Sequence, residues 1–328
     1  MCPYTIRINQ IKEYKKTQIK EAAAKTNTQL NRCHDEILKQ VFAVVLEDYI
    51  TAAGMPPCEF VWFVTGSAGR FEQGLFSDQD HGIIFKETNA SYQQYFLTFG
   101  KKLSDVLNEV GYSYCEGNVM SGNPVWCKSL EDWQKQLLKW METESWESIR
   151  FLQIFYDSRK LAGEPAFVEE LRTFIHEYRF SKPLLLKRFS NNVMRVKKGV
   201  GIFGQFFVER TGRYKGSIHL KNTMYLPYVN SIRLLAIKEG IQETSTLERM
   251  HTLKNIDRYQ TFLIPYEKYF AKILEYRIAL FRNAKTYSDV HFLNINQLTK
   301  EERQEIKQLL RNGIKLYQKV QRIIEKGC

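Results

Sequence analysis

Apolar positions recur at helical spacing from Ile8 to Tyr49. They are sparse at first (Ile8, Ile11, Tyr14) and then form a clear stripe of Ile37, Val41, Val44, Val45 and Tyr49. This pattern predicts helix over residues 8–53, ended by Gly54 and the Pro56-Pro57 pair. The period then changes. Residues 61–64 (Val-Trp-Phe-Val) and 83–85 (Ile-Ile-Phe) are short continuous apolar runs, which predict two buried strands. Between them lie a Gly66-Ser67 turn, a stretch long enough for one helical turn, and two carboxylates, Asp78 and Asp80. Helical spacing returns over residues 90–109, stopped by Gly111, then over 129–141, opened by Ser129-x-x-Asp132, and again from Ser145 into the following decade. Residues 114–126 are rich in Gly and Asn without periodicity, which predicts a loop.

From about residue 166 the pattern is mostly helical, with helices expected over 167–178, 183–198, 227–238, 252–282 and 299–326. Gly240 closes one of them, and Ser245-x-x-Glu248 and Thr299-x-x-Glu302 are capping boxes. Two glycine-rich breaks, 199–204 and 211–216, interrupt the series, and residues 217–221 read as short and extended. The whole predicts an α+β chain, with a small mixed sheet between an N-terminal helical segment and a mainly helical C-terminal domain.

Composition changes the picture in three ways. No run approaches the roughly 20 apolar residues that span a bilayer, and residues 1–20 lack the apolar core of a signal peptide; a cytoplasmic protein is expected. The six cysteines are scattered with no Cys-x-x-Cys pair, which argues against a zinc site or a disulfide framework. Charge is the third. Residues 1–164 hold 18 Lys and Arg against 21 Asp and Glu, and residues 165–328 hold 30 against 15, so the halves carry −3 and +15 of the total +12. The asymmetry predicts that the C-terminal half meets an anion, unless its helices simply carry surplus solvated Lys. The densest set is Lys187, Arg188, Arg195, Lys197, Lys198, Arg210, Arg213, Lys215 and Lys221. Phe203, Phe206 and Phe207 beside it read as core, which argues against RNA as that anion.

The chemistry centres on residues 66–80. Asp78 and Asp80 stand at i and i+2 and so face the same way on a strand. The Gly66-Ser67 turn lets backbone N–H groups approach a phosphate. A carboxylate pair beside a phosphate cradle is what metal-assisted phosphoryl chemistry requires. Arg70 could neutralise phosphate charge or brace the turn by pairing with Glu72 or Asp78.

Gly66-Ser67-Ala68-Gly69-Arg70-Phe71-Glu72-Gln73 followed by Ser77-Asp78-Gln79-Asp80 resembles the signature of the polymerase-beta-type nucleotidyltransferase superfamily. More narrowly, it resembles the putative nucleotidyltransferases associated with CBS domains and similar to the N-terminal domain of protein-PII uridylyltransferase. Residues 34–37 and 54–57, the Cys115 to Trp126 loop and Phe155-Tyr156-Asp157-Ser158-Arg159 resemble further segments of that family. The order of residues from Gly204 to Ala236 resembles its substrate-binding C-terminal domain, except that the family usually has Asp where this chain has His219.

The resemblance implies three segments: helices over 1–55, a nucleotidyltransferase domain over 56–165 and a substrate-binding domain over 166–328. It implies Mg²⁺ (or Mn²⁺) on Asp78 and Asp80, with ATP or UTP as the NTP and its phosphates cradled by Gly66 and Ser67. Asp157 is the implied third carboxylate, with Glu116 in reserve; an ion pair of Asp157 with Arg150 or Arg159 is the alternative. Lys215 and Lys221 are expected to contact the nucleotide. The acceptor is expected to be a protein or small molecule rather than RNA, with no membrane involved. The alternative function is a catalytically idle nucleotide-binding module that regulates a protein partner.

Overall fold

Strand β1 (Phe60–Val64) is the centre of the sheet, and its alternation places different aromatics on the two faces. Trp62 stacks on Phe42 with ring centroids 5.1 Å apart, while Phe63 meets Trp133 and Phe155 on the opposite side. All three of Trp62, Phe63 and Val61 are fully buried, as expected for a strand covered on both faces. The computed structural model describes residues 3–192, 197–282 and 284–327, and the chain divides into two compact units, Met1–Glu177 and Tyr178–Cys328.

In the first unit, helices α1 (Pro3–Ala23) and α2 (Asn27–Ala53) precede β1. One continuous helix was expected here. The chain breaks at Thr26, whose extended backbone (φ −145°) lets its hydroxyl accept the Gln29 N–H as an N-cap. A single helical turn, α3 (Gly66–Gly69), follows β1, and β2 (His81–Phe85) pairs antiparallel with β1. Helix α4 (Ala90–Val110) ends at Gly111, which is left-handed at φ +99°. Then come β3 (Cys127–Ser129), α5 (Leu130–Thr143), α6 (Trp146–Tyr156), β4 (Arg159–Gly163) and α7 (Ala166–Ser181), whose residues from Tyr178 onward are counted with the second unit. The sheet order is β3-β2-β1-β4, with β4 antiparallel to β1 and β3 parallel to β2. Helices α2 and α4 cover the Trp62 face; α5 and α6 cover the Phe63 face.

The second unit is mainly helical: α8 (Leu184–Asn192), α9 (Leu226–Glu239), α10 (Thr246–Leu253), α11 (Asp257–Ala279) and α12 (Lys300–Lys326). Strands β5 (Ser217–His219) and β6 (Phe292–Asn294) form a separate antiparallel pair. Helix α9 is apolar nearly all round and buried along its length, whereas α12 buries one stripe running from Ile306 to Ile324. The helix expected over 183–198 is seen to Asn192; residues 193–196, Arg195 among them, lie outside the described residues. The helix opened by Ser245 is α10, and the one expected over 252–282 is α11, which begins only at Asp257 and ends at Ala279.

One expectation about the glycine-rich break is corrected. Phe203 is 89% exposed and Phe207 50% exposed, and neighbouring Ile202 is as exposed as Phe203. Backbone bonds of Gly201 to Gln205 and of Phe207 to Gly199 close a tight hairpin that has Ile202 and Phe203 at its tip, so these side chains have no core to enter. Among the described residues, no helix is long and apolar enough to cross a membrane, and Cys33, Cys58, Cys115 and Cys127 are free thiols.

Candidate active site

The carboxylate pair owes its direction to the residues between and after it. Asp78 and Asp80 alternate with Gln79 and His81, which are buried on the other side of the chain. Gln79 Nε2 donates to the carbonyls of Ser104 and Tyr112, each at 3.0 Å, and Gln79 Oε1 meets His81 Nε2 at 2.8 Å. His81 Nδ1 accepts the Ser121 N–H, so its proton sits on Nε2 and is donated to Gln79. Burial drives the His81 imidazole down from the usual 6.5 to about 3, so it is a neutral structural group. The ladder is completed by Thr65 N–H to Asp80 O (2.9 Å) and Gln79 N–H to Ser113 O (3.0 Å). With Gln79 and His81 tethered inward, both aspartates face outward, where they are half-buried.

Gly66 joins the pair from β1. It is left-handed at φ +58°, and a Cβ on it would overlap the Asp80 carboxylate. Glycine is therefore required twice over, by the turn and by the close approach. Ser67 Oγ lies 3.4 Å from Ser77 Oγ, tying the turn to the Asp78 segment. Asp78, Asp80 and Cys115 each bring a ligand atom within 4.8 Å of the other two. Gly66, Ser67, Asp78 and Asp80 are thus gathered as expected, and Cys115 is an addition. It comes from the aperiodic loop, where Asn118 (φ +53°) turns the chain back and Asn123 holds the Asn118 carbonyl and the Val125 N–H. Burial, then the charge of Asp80 and a hydrogen bond to it, push the Cys115 thiol well above its usual range, so it remains protonated. The charged donors are two carboxylates, the hard oxygen ligands that suit Mg²⁺ or Mn²⁺, and the residues present fit such an ion.

Arg70 and Asp157 are brought together, but with each other. Arg70 Nη1 donates to Asp157 Oδ2 at 2.6 Å and its Nε to Glu72 Oε2 at 2.8 Å, and all three side chains are buried. Asp157 is not in the ligand cluster, and neither is Glu116, which is exposed. Arg159 instead pairs with Asp35 (2.7 Å), donates to the Ala68 carbonyl and lies 3.6 Å over the Phe71 ring, closing the end of α3. Phe71 is itself left-handed (φ +56°), a strain held in place by Asn27 Nδ2 on its carbonyl and by Asn31 on Gln73. His34 completes this support: its Nε2 donates to the Gly74 carbonyl and its Nδ1 accepts from the Tyr112 hydroxyl, each at 2.9 Å.

A cation the sequence offered only as a partner for Asp157 borders the cluster. A Cβ on Gly117 would stand 2.9 Å from Arg150 Nη2 and 3.6 Å from Cys115 Sγ, so guanidinium and thiol flank one small residue. Among the described residues, Arg150 has no carboxylate within ion-pair distance. Lys215 (exposed) and Lys221 (half-buried) belong to the second unit.

A mixed sheet with a glycine-serine turn beside an Asp-x-Asp pair defines a nucleotidyltransferase-type domain. Residues 10–147 match the family model described as "Putative nucleotidyltransferase DUF294", and residues 183–324 match "Putative nucleotidyltransferase substrate binding domain". The two matches account for most of the chain, which belongs to this family. No curated protein matches the chain.

Proposed function

We propose that the chain is a metal-dependent nucleotidyltransferase of the protein-PII uridylyltransferase type, moving a nucleoside monophosphate from ATP or UTP to an acceptor hydroxyl. The observation that carries this reading is the packing of Gly66 directly against Asp80, with Asp78 alongside. It supplies two carboxylates for a divalent cation and a glycine turn through which phosphate oxygens reach backbone N–H groups. In the transfer, the acceptor oxygen bonds to the α-phosphorus, the bond to pyrophosphate breaks, and the acceptor's proton passes to solvent water. A divalent cation on Asp78 and Asp80 supplies charge neutralisation for the triphosphate and the departing pyrophosphate.

The chain's own residues supply the rest. Gly66 and Ser67 orient the β- and γ-phosphates. Arg150, at the rim and without a carboxylate partner among the described residues, adds charge-assisted bonds to the triphosphate. Arg70 and Asp157 act as positioning residues: their buried pair fixes the corner after α3. This reading moves Asp157 from the metal to the support beneath it. Catalysis is then mostly orientation and preorganised charge.

The test is Mn²⁺ binding followed by electron paramagnetic resonance in the presence of a non-hydrolysable NTP. Asp78→Asn and Asp80→Asn should each weaken binding by more than the roughly 10- to 100-fold that loss of a supporting group costs, with the fold unchanged. Wild-type Mn²⁺ affinity in either variant would remove the metal assignment.

A further inference from the structure

The second unit holds a cluster of nitrogen bases and cations that no part of the proposed transfer chemistry uses. Its frame is the β5–β6 pair, with His219 opposite Phe292, and Tyr214 stacks on Phe292 at 3.9 Å. The chain leaves β5 through a π-helical turn, Lys221–Tyr225, before α9 begins. Single π turns are rare and frequently occur at functional sites. On this frame the His219 and His291 rings lie parallel, 8° apart in plane, with centroids 5.9 Å apart. Tyr287 meets His291 edge-on at 4.7 Å, and Lys221 Nζ donates to the Tyr287 hydroxyl at 3.2 Å.

Two features of this cluster point to a missing partner. The first is His291 Nε2, which is shut off from solvent and has no hydrogen-bond partner among the described residues. Buried polar atoms in folded proteins are nearly always bonded, so an orphan calls for an explanation. The second is charge. Among the described residues, no carboxylate lies within ion-pair distance of Lys221 or Lys197. Asp289, on the turn that carries His291, is engaged by Arg213 (2.7 Å), the Tyr214 hydroxyl and the Thr286 N–H. Both imidazoles are accordingly held below the usual range. Burial is the main cause; Lys221 and Lys197 add to it at His219, against Glu209, and Lys221, Arg277 and His219 add to it at His291. His219 Nδ1 accepts the Asn222 N–H, which puts the proton of the neutral ring on Nε2; the Asn222 side-chain amide nitrogen lies at 3.5 Å from that atom, at the limit of hydrogen-bond distance, and a phosphoryl oxygen is the better acceptor for it.

We propose that His219, Lys221, Tyr287 and His291 form a binding site for the phosphoryl group of a small phosphorylated substrate. Phosphoryl oxygens accept from Lys221 Nζ and His219 Nε2, and the negative charge lets His291 take up a proton and bond through Nε2. The donors are half-buried around two parallel rings, which suits one terminal phosphoryl group better than a polymer backbone. The phosphoryl group has two candidate sources, the triphosphate of the nucleotide and a phosphate on the acceptor. Assigning this as a substrate subsite rests on the nucleotidyl-transfer reading; the binding itself does not.

The full-length protein tests it, with inorganic phosphate, pyrophosphate and Mg·ATP as probes. The chain has only six histidines, so the imidazole C–H signals of His219 and His291 can be assigned with His219→Gln and His291→Gln and followed by NMR. Phosphate or pyrophosphate should shift these two signals saturably and leave those of His34 and His81 in place. Lys221→Met, with the other histidine signals unchanged as proof of folding, should weaken the effect by about tenfold or more. Asp78→Asn should leave it intact, so a failed transfer reaction does not touch this result. Mg·ATP acting at lower concentration than phosphate assigns the group to the nucleotide. Phosphate acting where Mg·ATP does not assigns it to the acceptor; either result supports the site. Signals unmoved by phosphate and pyrophosphate, or equal binding by Lys221→Met and wild type, overturns it. So does preferential binding of single-stranded RNA that weakens log-linearly with salt.

Discussion

A methyl group on Gly66 would collide with the Asp80 carboxylate while the backbone sits at φ +58°, a conformation that costs any other residue free energy. Gly66→Ala should therefore cost about 1–3 kcal/mol in denaturant unfolding and displace Asp80 enough to weaken metal binding. A variant with wild-type Mn²⁺ affinity would show that the approach of Gly66 to Asp80 is incidental. The second residue-scale prediction concerns Arg70 and Asp157, buried at 2.6 Å. Asp157→Asn leaves the guanidinium short of one counter-charge, with Glu72 still beside it, and should destabilise by about 3 kcal/mol. Replacing both, Arg70→Met with Asp157→Asn, should cost less than the sum of the single changes, because Arg70→Met alone takes the guanidinium from both Asp157 and Glu72, whereas the double variant takes it from Glu72 only. If Asp157 instead serves the metal directly, Asp157→Asn abolishes Mn²⁺ binding while unfolding stays as in wild type. The pairing joins residues 87 apart, which is why a local reading of Phe155 to Arg159 offered only the nearby arginines as alternatives. Cys115 escaped for a different reason: its loop has no periodicity, and Asn118 and Asn123 shape it through bonds that composition does not reveal.

The elements that hold the site depend on two buried neutral histidines. His34 links α2 to the Gly74 carbonyl and Tyr112, and His81 locks Gln79. Burial lowers each from 6.5 to about 3; Lys15 adds to the shift at His34, and the Gly74 bond opposes it. In the unfolded chain both regain a pKa near 6.5, so below that pH unfolding takes up protons. Their contribution is complete above about pH 6.5 and is lost progressively as pH falls toward 3. The loss is about 2 kcal/mol for each histidine at pH 5. The urea midpoint should drop between pH 7.5 and pH 5, and a midpoint constant over that range would contradict the assignment. At this scale most of the helices and the two central strands were legible, because Trp62, Phe63 and Ile83 to Phe85 form continuous apolar runs and Ser129, Ser145 and Thr299 are good caps. Strands β3 and β4 were not. β3 is three residues long, and β4 reads Arg-Lys-Leu-Ala-Gly, with Leu161 its one buried side chain. The break between α1 and α2 was signalled only by Thr26-x-x-Gln29, inside a stretch whose helical spacing continues across it.

Across the whole molecule, chemistry and charge are divided between the two units. The first holds Asp78, Asp80 and the Gly66 turn in a fold covered on both sheet faces. The second holds most of the excess cations, and among the described residues Lys197 and Lys221, beside His219 of β5, have no carboxylate within ion-pair distance. The exposed Ile202-Phe203 tip removes the argument from composition against a nucleic-acid acceptor, since apolar side chains on a hairpin tip have no core within reach. The central claim is nucleotide transfer at Asp78 and Asp80, and incubation with Mg²⁺, cell extract and NTP labelled at either the α- or the γ-phosphate tests it most directly. The account predicts that label from the α-position, and none from the γ-position, becomes attached to an acceptor with ATP or UTP, and that Asp78→Asn and Asp80→Asn each abolish it. Transfer undiminished in either variant, or Mg·NTP bound tightly by the wild type with no transfer from any nucleotide, would contradict it and leave a nucleotide-binding regulatory module in its place.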